Sequence, residues 1–282
     1  MLYSRLRGFR VKVDRAKKKI ETFTKGGELY DQRNWQRSGG LTPKECYVSI
    51  SWGKDSTVLA HLVASVIGTD ATNAISIQYG TPHDNGEWTI EPFDRWPDLV
   101  KVKDDFLSSY PLNYYEAYVP SFWYLCEQYD CKPITVDMSG GGKNIGLVEN
   151  IFVSAFERTI DTTAKELGFI GNLMGMRKEE SNNRQRHFAM RGHTYYAKER
   201  AFWCCNPLCD WSGDDIWAYI VLHDLPYSEL YDAQGFDRDT LRNGLMIGGG
   251  MMRYGAYVHF KRLYPGLWNI VCEKYPYLRA FA

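Results

Sequence analysis

Six consecutive residues, Ser51-Trp52-Gly53-Lys54-Asp55-Ser56, sit within "YVSISWGKDSTVLAHLV" (residues 47–63), between an apolar run and a stretch of helical apolar period. Two hydroxyls, a lysine, a carboxylate and a glycine in so short a turn suit one task, the holding of an oxygen-rich anion. Where a strand ends and a helix begins, backbone N–H groups face outward with the positive end of the helix dipole behind them. Gly53 lets a ligand approach the backbone, Ser49, Ser51 and Ser56 add hydroxyl donors, and Lys54 adds a charge. The ordinary P-loop is excluded, because Val48 stands where its first glycine belongs and Asp55 follows the lysine.

Two other groups of residues have chemistry to offer. In "GMRKEESNNR" (residues 175–184), Arg177 and Arg184 supply fork-shaped donors for phosphate or sulfate oxygens, and Glu180 is placed to orient one of them. In "WCCNPLCDW", Cys204, Cys205 and Cys209 have the donor type for a zinc ion or an iron–sulfur cluster, with Cys126, Cys131 or His193 as a further ligand. Buried reduced thiols are the commoner outcome for such residues and are favoured over a metal site here.

The elements that must position these residues follow from periodicity. "CYVSIS" (46–51) is a strand, "STVLAHLVASVIG" (56–68) a helix closed by Gly68, and "NAISIQYG" (73–80) a second strand, which makes a parallel βαβ unit. A helix in "WPDLVKVKDDFLSSY", a strand in "LNYYEAYV", a long helix over 147–168 and a strand over 169–176 continue the alternation. A glycine-rich loop at 139–146 precedes the long helix, and the stretch from 81 to 97 reads as a loop. Helices are predicted in "SGDDIWAYIVLHD", with Ser212 as its N-cap, and in "YGAYVHFKRLY" near the C-terminus. Residues 24–45 and the Met-lined segment 244–257 read as loops. The resulting fold class is α/β: a parallel twisted sheet with helices on both faces, followed by a mostly helical C-terminal part. The expected division is a basic N-terminal helix or arm over 1–40, the phosphate-binding domain over 41–235 and a helical extension over 236–282.

Bulk composition narrows the function classes. The 34 acidic and 34 basic residues cancel, so no global field draws the chain to nucleic acid, and any such contact rests on "RLRGFRVKVDRAKKKIE" (5–21). That segment reads first as the solvated face of a packed helix and second as a phosphate- or partner-binding arm. No stretch reaches a membrane span, and seven irregularly spaced cysteines fit reduced thiols, so a cytoplasmic location with no membrane association is expected.

Residues 51–56 resemble the Ser-Gly-Gly-x-Asp-Ser signature of the PP-loop superfamily, the adenine nucleotide alpha hydrolases, with Trp52 in place of the first glycine. Sulfonucleotide reductases, a branch of that superfamily, tolerate an aromatic residue there. Residues 175–184 look like the Gly-x-Arg-x-x-Glu-Ser-x-x-Arg element of the phosphoadenosine phosphosulfate (PAPS) reductase family. "NPLCDWSGDDIWAYIVLHDLPYSELYDAQG" resembles that family's Pro-Leu-x-Asp-Trp segment with its following Leu-Pro-Tyr and Leu-Tyr-Asp.

The resemblance spans roughly residues 46–235 and implies a Rossmann-like sheet that binds ATP or PAPS. Ser49, Ser51, Trp52, Gly53, Ser56 and Glu180 would form the nucleotide site, and Lys54, Asp55, Arg177 and Arg184 the catalytic group. Asp55 would be the nearest ligand for a magnesium ion carried on the phosphates. The implied reaction is attack at the ATP α phosphorus, yielding AMP and pyrophosphate and activating an unknown acceptor, with or without a protein partner, for sulfur or amine transfer. Reduction of PAPS or adenylylsulfate is the alternative, but the Glu-Cys-Gly-hydrophobic-His motif it requires is absent around Cys272 in "IVCEKYPYL". A nucleotide-sensing module associated with nucleic acid through the N-terminal segment is a third reading.

Overall fold

The computed structural model describes residues 7–31, 36–132, 145–234 and 260–281. The chain forms two compact units, one of residues 1–76, 102–116 and 161–227, the other of residues 77–101, 117–160 and 228–282.

In the first unit the predicted βαβ core is present as β3 (Cys46–Ser49), α2 (Lys54–Ile67) and the opening residues of β4 (Asn73–Pro82). The strand forms because Tyr47 and Val48 are buried on both faces, and the helix because Val58, Leu59, Leu62 and Val63 bury one apolar stripe. Gly68 ends α2 at φ +93°, a conformation that costs other residues more, and its N–H donates to the Ala64 carbonyl. β3 pairs in parallel with β4 and with β7 (Gly171–Leu173), and β7 pairs in parallel with β9 (Phe202–Cys205).

The sheet is mixed rather than wholly parallel: β8 (Thr194–Ala197) runs antiparallel to β9 as its hairpin partner. The helices α1 (Arg7–Thr24), α2 and α7 (Gly213–His223) pack together. They lie against one face, while the end of α5 (Ile145–Glu166) reaches the other, where Lys165 sits 5.5 Å from the Phe202 ring centroid. Within the stretch expected to be loop, residues 29–31 form β1 (Leu29–Asp31), paired antiparallel with β2 (Gln36–Ser38). Three-residue strands are too short to leave a period. The strand predicted over 169–176 is likewise only three residues long.

α1 is a packed helix: Phe9, Ala16, Ile20 and Phe23 are buried, while Arg7, Arg10, Arg15 and Lys18 are exposed. Lys12 pairs with Asp215, and Lys19 reaches Asp210 at 3.0 Å, so two of the basic side chains serve the fold.

The second unit holds the later part of β4, β5 (Trp88–Thr89) antiparallel to it, and the later part of β6 (Asn113–Pro120), whose following Ser121 N–H donates to the Gly80 carbonyl at 2.8 Å. Its core is aromatic: Trp123 stacks on Tyr275 at 4.8 Å between ring centroids, and Trp96 meets Phe260 edge-on at 5.4 Å. Among the described residues, the helical C-terminal part consists of α8 (Leu230–Gln234), a turn of helix from 260, α9 (Pro265–Lys274) and a 3-10 helix (Pro276–Phe281). The glycine-rich loop up to residue 144, most of the helix predicted in "YGAYVHFKRLY" and the Met-lined segment lie outside the described residues. No described helix is long and apolar enough to cross a membrane.

Asp94 of this unit is fully buried, with its Oδ2 accepting the Glu91 N–H at 2.9 Å, and burial pushes its carboxyl up to about 7. A folded-state value raised above the ordinary 3.8 means that the neutral acid favours folding at low pH, and that this contribution is lost as pH rises through about 7. In urea titrations from acid to neutral pH, Asp94→Asn is expected to flatten the decline in unfolding midpoint; an unchanged slope would assign the decline to other groups.

Candidate functional site

Residues 50–53 turn from β3 into α2, and their conformation explains how tryptophan stands where the signature that they resemble has a glycine. Trp52 occupies the left-handed region at φ +62°, where side chains other than glycine are uncommon. It is held there by burial, 1% exposed, with its rings 5.7 Å from Phe106 and 5.6 Å from Tyr114. Its role in the described structure is to wedge the turn open from behind, with its indole inside the core.

The serines lock the turn from the other side. The Ser51 N–H donates to Ser56 Oγ at 3.2 Å, and Ser56 Oγ donates to the Gly53 carbonyl at 3.0 Å. Gly53 caps α2 with extended dihedrals. Ser49 looks elsewhere, its hydroxyl donating to Asn172 Oδ1 of β7 at 2.9 Å, so it braces neighbouring strands.

Charge is concentrated at the first turn of α2. Lys54 is 3% exposed with Nζ 3.0 Å from Asp55 Oδ2, and Arg177, 2% exposed, donates from Nε to Asp55 Oδ1 at 2.6 Å. Burial opposes the Arg177 charge, but Asp55, Glu180 and Glu179 outweigh it and hold the guanidinium pKa above its ordinary value. Glu179 accepts from Arg177 at 2.9 Å and from the Gly213 N–H at 2.7 Å, which ties the arginine segment to the start of α7. Glu180 accepts the Arg177 N–H at 2.7 Å and pairs with Arg184 of α6 (Asn182–Arg191). Lys54, Asp55, Arg177, Glu180 and Arg184 therefore form one connected network.

The network also relies on Glu179, which the sequence patterns did not single out, and on Gly175, the first residue of the Gly-x-Arg element. A Cβ at Gly175 would stand 3.0 Å from the Asp55 carbonyl oxygen, so the absence of a side chain lets this segment lie against the first turn of α2. The glycine of "GMRKEE" was the one local signal of that approach.

Magnesium at Asp55 does not fit this donor set, since both carboxylate oxygens accept from cations. The three cysteines do not fit a metal either. Cys204 and Cys205 are successive residues of β9 and point to opposite faces, and Cys209 lies beyond the strand with Lys19 Nζ 3.2 Å from its sulfur. Among the described residues no three His, Cys, Asp or Glu side chains gather as a metal site. Burial pushes the Cys204 thiol up to about 11 and the Cys205 thiol up to about 12, and it raises that of Cys209. Cys272, on α9, is buried and also raised by burial.

Residues 153–261 match the family model of the phosphoadenosine phosphosulfate reductase domain. Adenosine 5'-phosphosulfate reductase of Shouchella clausii is 37% identical over 76 residues, 27% of this chain and 30% of that protein. The enzyme of the same name from Neisseria meningitidis serogroup B is 42% identical over 65 residues, 23% of this chain and 24% of its own length. The chain thus aligns with less than a third of these relatives. Among solved structures, phosphoadenylyl-sulfate (PAPS) reductase from Candida auris in a phosphate complex matches with a TM-score of 0.47 and 16% identity, over 69% of this chain and 85% of that one. The U34-tRNA thiolase NcsA from Methanococcus maripaludis, with its [4Fe-4S] cluster, matches with a TM-score of 0.45 and 14% identity, over 78% of this chain and 66% of that one.

Proposed function

Because the chain carries a domain of the phosphoadenosine phosphosulfate reductase family, we propose that it is an enzyme that binds ATP at residues 51–56 and catalyses attack at the α phosphorus. The observation that carries this reading is the convergence of two buried cations, Lys54 and Arg177, on the first turn of a helix whose N-terminus already favours anions. In the proposed step an oxygen, nitrogen or sulfur of the acceptor bonds to the α phosphorus and releases its proton to solvent. The bond to the bridging oxygen breaks, and pyrophosphate leaves with the electron pair. Turn N–H groups, Lys54 and Arg177 stabilise the charge that builds on the phosphate oxygens. With water as acceptor the product is AMP; with another nucleophile it is an adenylylated intermediate open to sulfur transfer. Asp55 acts by holding both cations in place.

The names of the relatives favour a second reading, reduction of a sulfonucleotide. Cys272 is the late thiol available to it, and the burial of that residue argues against attack on a nucleotide. Nucleic-acid association would use the exposed Arg7, Arg10, Arg15 and Lys18 of α1.

Pyrophosphate release from ATP, and sulfite release from PAPS with a dithiol reductant, separate the two chemistries. The expected result is pyrophosphate formed by wild type and by Cys272→Ser alike. Sulfite formation lost in Cys272→Ser, without pyrophosphate from ATP, would replace the proposal with the reductase reading.

A further inference from the structure

The β8–β9 hairpin of the first unit encloses a cavity of about 370 Å³ whose walls include Arg191, Tyr195, Lys198, Arg200 and Cys204. None of these residues belongs to the network around Asp55. Tyr195 and Cys204 are cross-strand partners and so share one face of the hairpin, and Lys198 and Arg200 stand in the turn that joins the strands. Arg191 closes the cavity as the last residue of α6.

Three cations face one carboxylate, Glu199, on this lining. The two arginines are fixed from outside. Arg200 grips Asp161 through Nε, 2.8 Å from Oδ2, and through a terminal nitrogen. Arg191 donates from Nη2 to the Tyr196 carbonyl at 2.8 Å, stands 3.7 Å from Asp31, and lies 4.2 Å over the Tyr195 ring. Its Nε–H is buried and has no hydrogen-bond partner. This donor has no accessible surface, so Arg191 contributes its charge to the cavity and not a hydrogen bond from Nε. The Cys204 thiol, kept neutral by burial, adds no negative charge to the wall.

We propose that this cavity binds a small tetrahedral oxyanion of the phosphate or sulfate class, drawn by the charges of Arg191, Lys198 and Arg200 on its lining, with the exposed Lys198 as the donor at the mouth. Both guanidiniums are already anchored, Arg200 on Asp161 and Arg191 on the Tyr196 carbonyl, so they lose little freedom when such a ligand enters. The volume exceeds that of a free anion, so the shared chemistry is that of the oxyanion itself, either free or as the end group of a small molecule.

The test is calorimetric titration of the full chain at constant ionic strength with inorganic phosphate, inorganic sulfate and glycerol phosphate. Saturable binding is expected, weakened a few-fold by Lys198→Ala, whose side chain is exposed, and at least about tenfold by Arg191→Gln. Tighter binding of glycerol phosphate would identify an end-group site, and tighter binding of the inorganic anions a free-anion site. Binding indifferent to Lys198→Ala would place the anion elsewhere, at the phosphate turn first, and would overturn the proposal, as would a response that never saturates. Lys198→Ala keeps the test decisive should Arg191→Gln fail to fold.

Discussion

Arg177→Ala is expected to lower stability by about 3 kcal/mol and to abolish the proposed pyrophosphate release from ATP. Removing one partner of a buried ion pair normally costs about 3–5 kcal/mol. The lower end applies because Asp55 and Glu179, the carboxylates left behind, are 22% and 59% exposed at their side chains and regain water. Arg177→Lys restores the charge but not the fork that spans Asp55 and Glu179, so it should recover part of the stability and little of the activity. Asp55→Ala removes the shared anion from two buried cations. Combined with Arg177→Ala it should cost less than the sum of the two changes, since contacting residues do not add. Urea unfolding alongside the pyrophosphate assay checks all four proteins. An Arg177→Ala protein that melts like wild type and still releases pyrophosphate would show that this arginine is neither a structural nor a catalytic partner of the turn.

The second large effect is expected at Trp52. Installing the glycine of the family signature should destabilise this protein by about 3 kcal/mol, because two opposed terms are unequal. Glycine relieves a positive φ that costs other residues about 1–2 kcal/mol. Losing a buried tryptophan removes about 3–5 kcal/mol of packing, and glycine adds up to about 1 kcal/mol of chain entropy. Trp52→Phe keeps much of the contact with Phe106 and Tyr114 and eliminates the indole Nε1–H, which is buried without a hydrogen-bond partner. It should therefore lie close to wild type. Thermal unfolding ranks the three proteins, and Trp52→Gly at or above wild type would mean that strain in the turn outweighs the core contact.

What could be read from the residues alone was what repeats or caps locally. Val58, Leu59, Leu62 and Val63 announce α2, Gly68 announces its end, and Ser212 announces the start of α7, where its hydroxyl accepts the Asp215 N–H. The turn at residues 50–53 was legible for the same reason, since its polar residues are consecutive. The hidden features depend on distant partners. Trp52 adopts its backbone conformation because of Phe106 and Tyr114, which no neighbouring residue announces. Asp55 presents as a magnesium ligand until Lys54 and Arg177 are seen on its two oxygens. Cys204, Cys205 and Cys209 present as a ligand set until the alternation of β9 separates the first two. β8 and β9 are four residues each, too short for their alternation to stand out from the sequence.

The Asp55–Arg177 pair joins positions 122 residues apart, and the bare backbone of Gly175 completes the same contact. During synthesis the turn, its helix and the first parallel pairing can all form while residue 177 is still inside the ribosome, yet Asp55 then lacks one of its two buried cations. Closing so long a loop carries an entropic cost that is recovered only when β7 docks beside β3. The proposed nucleotide site is therefore complete only after residues 175–177 dock, and a chain truncated before residue 175 would keep residues 51–56 without their arginine partner.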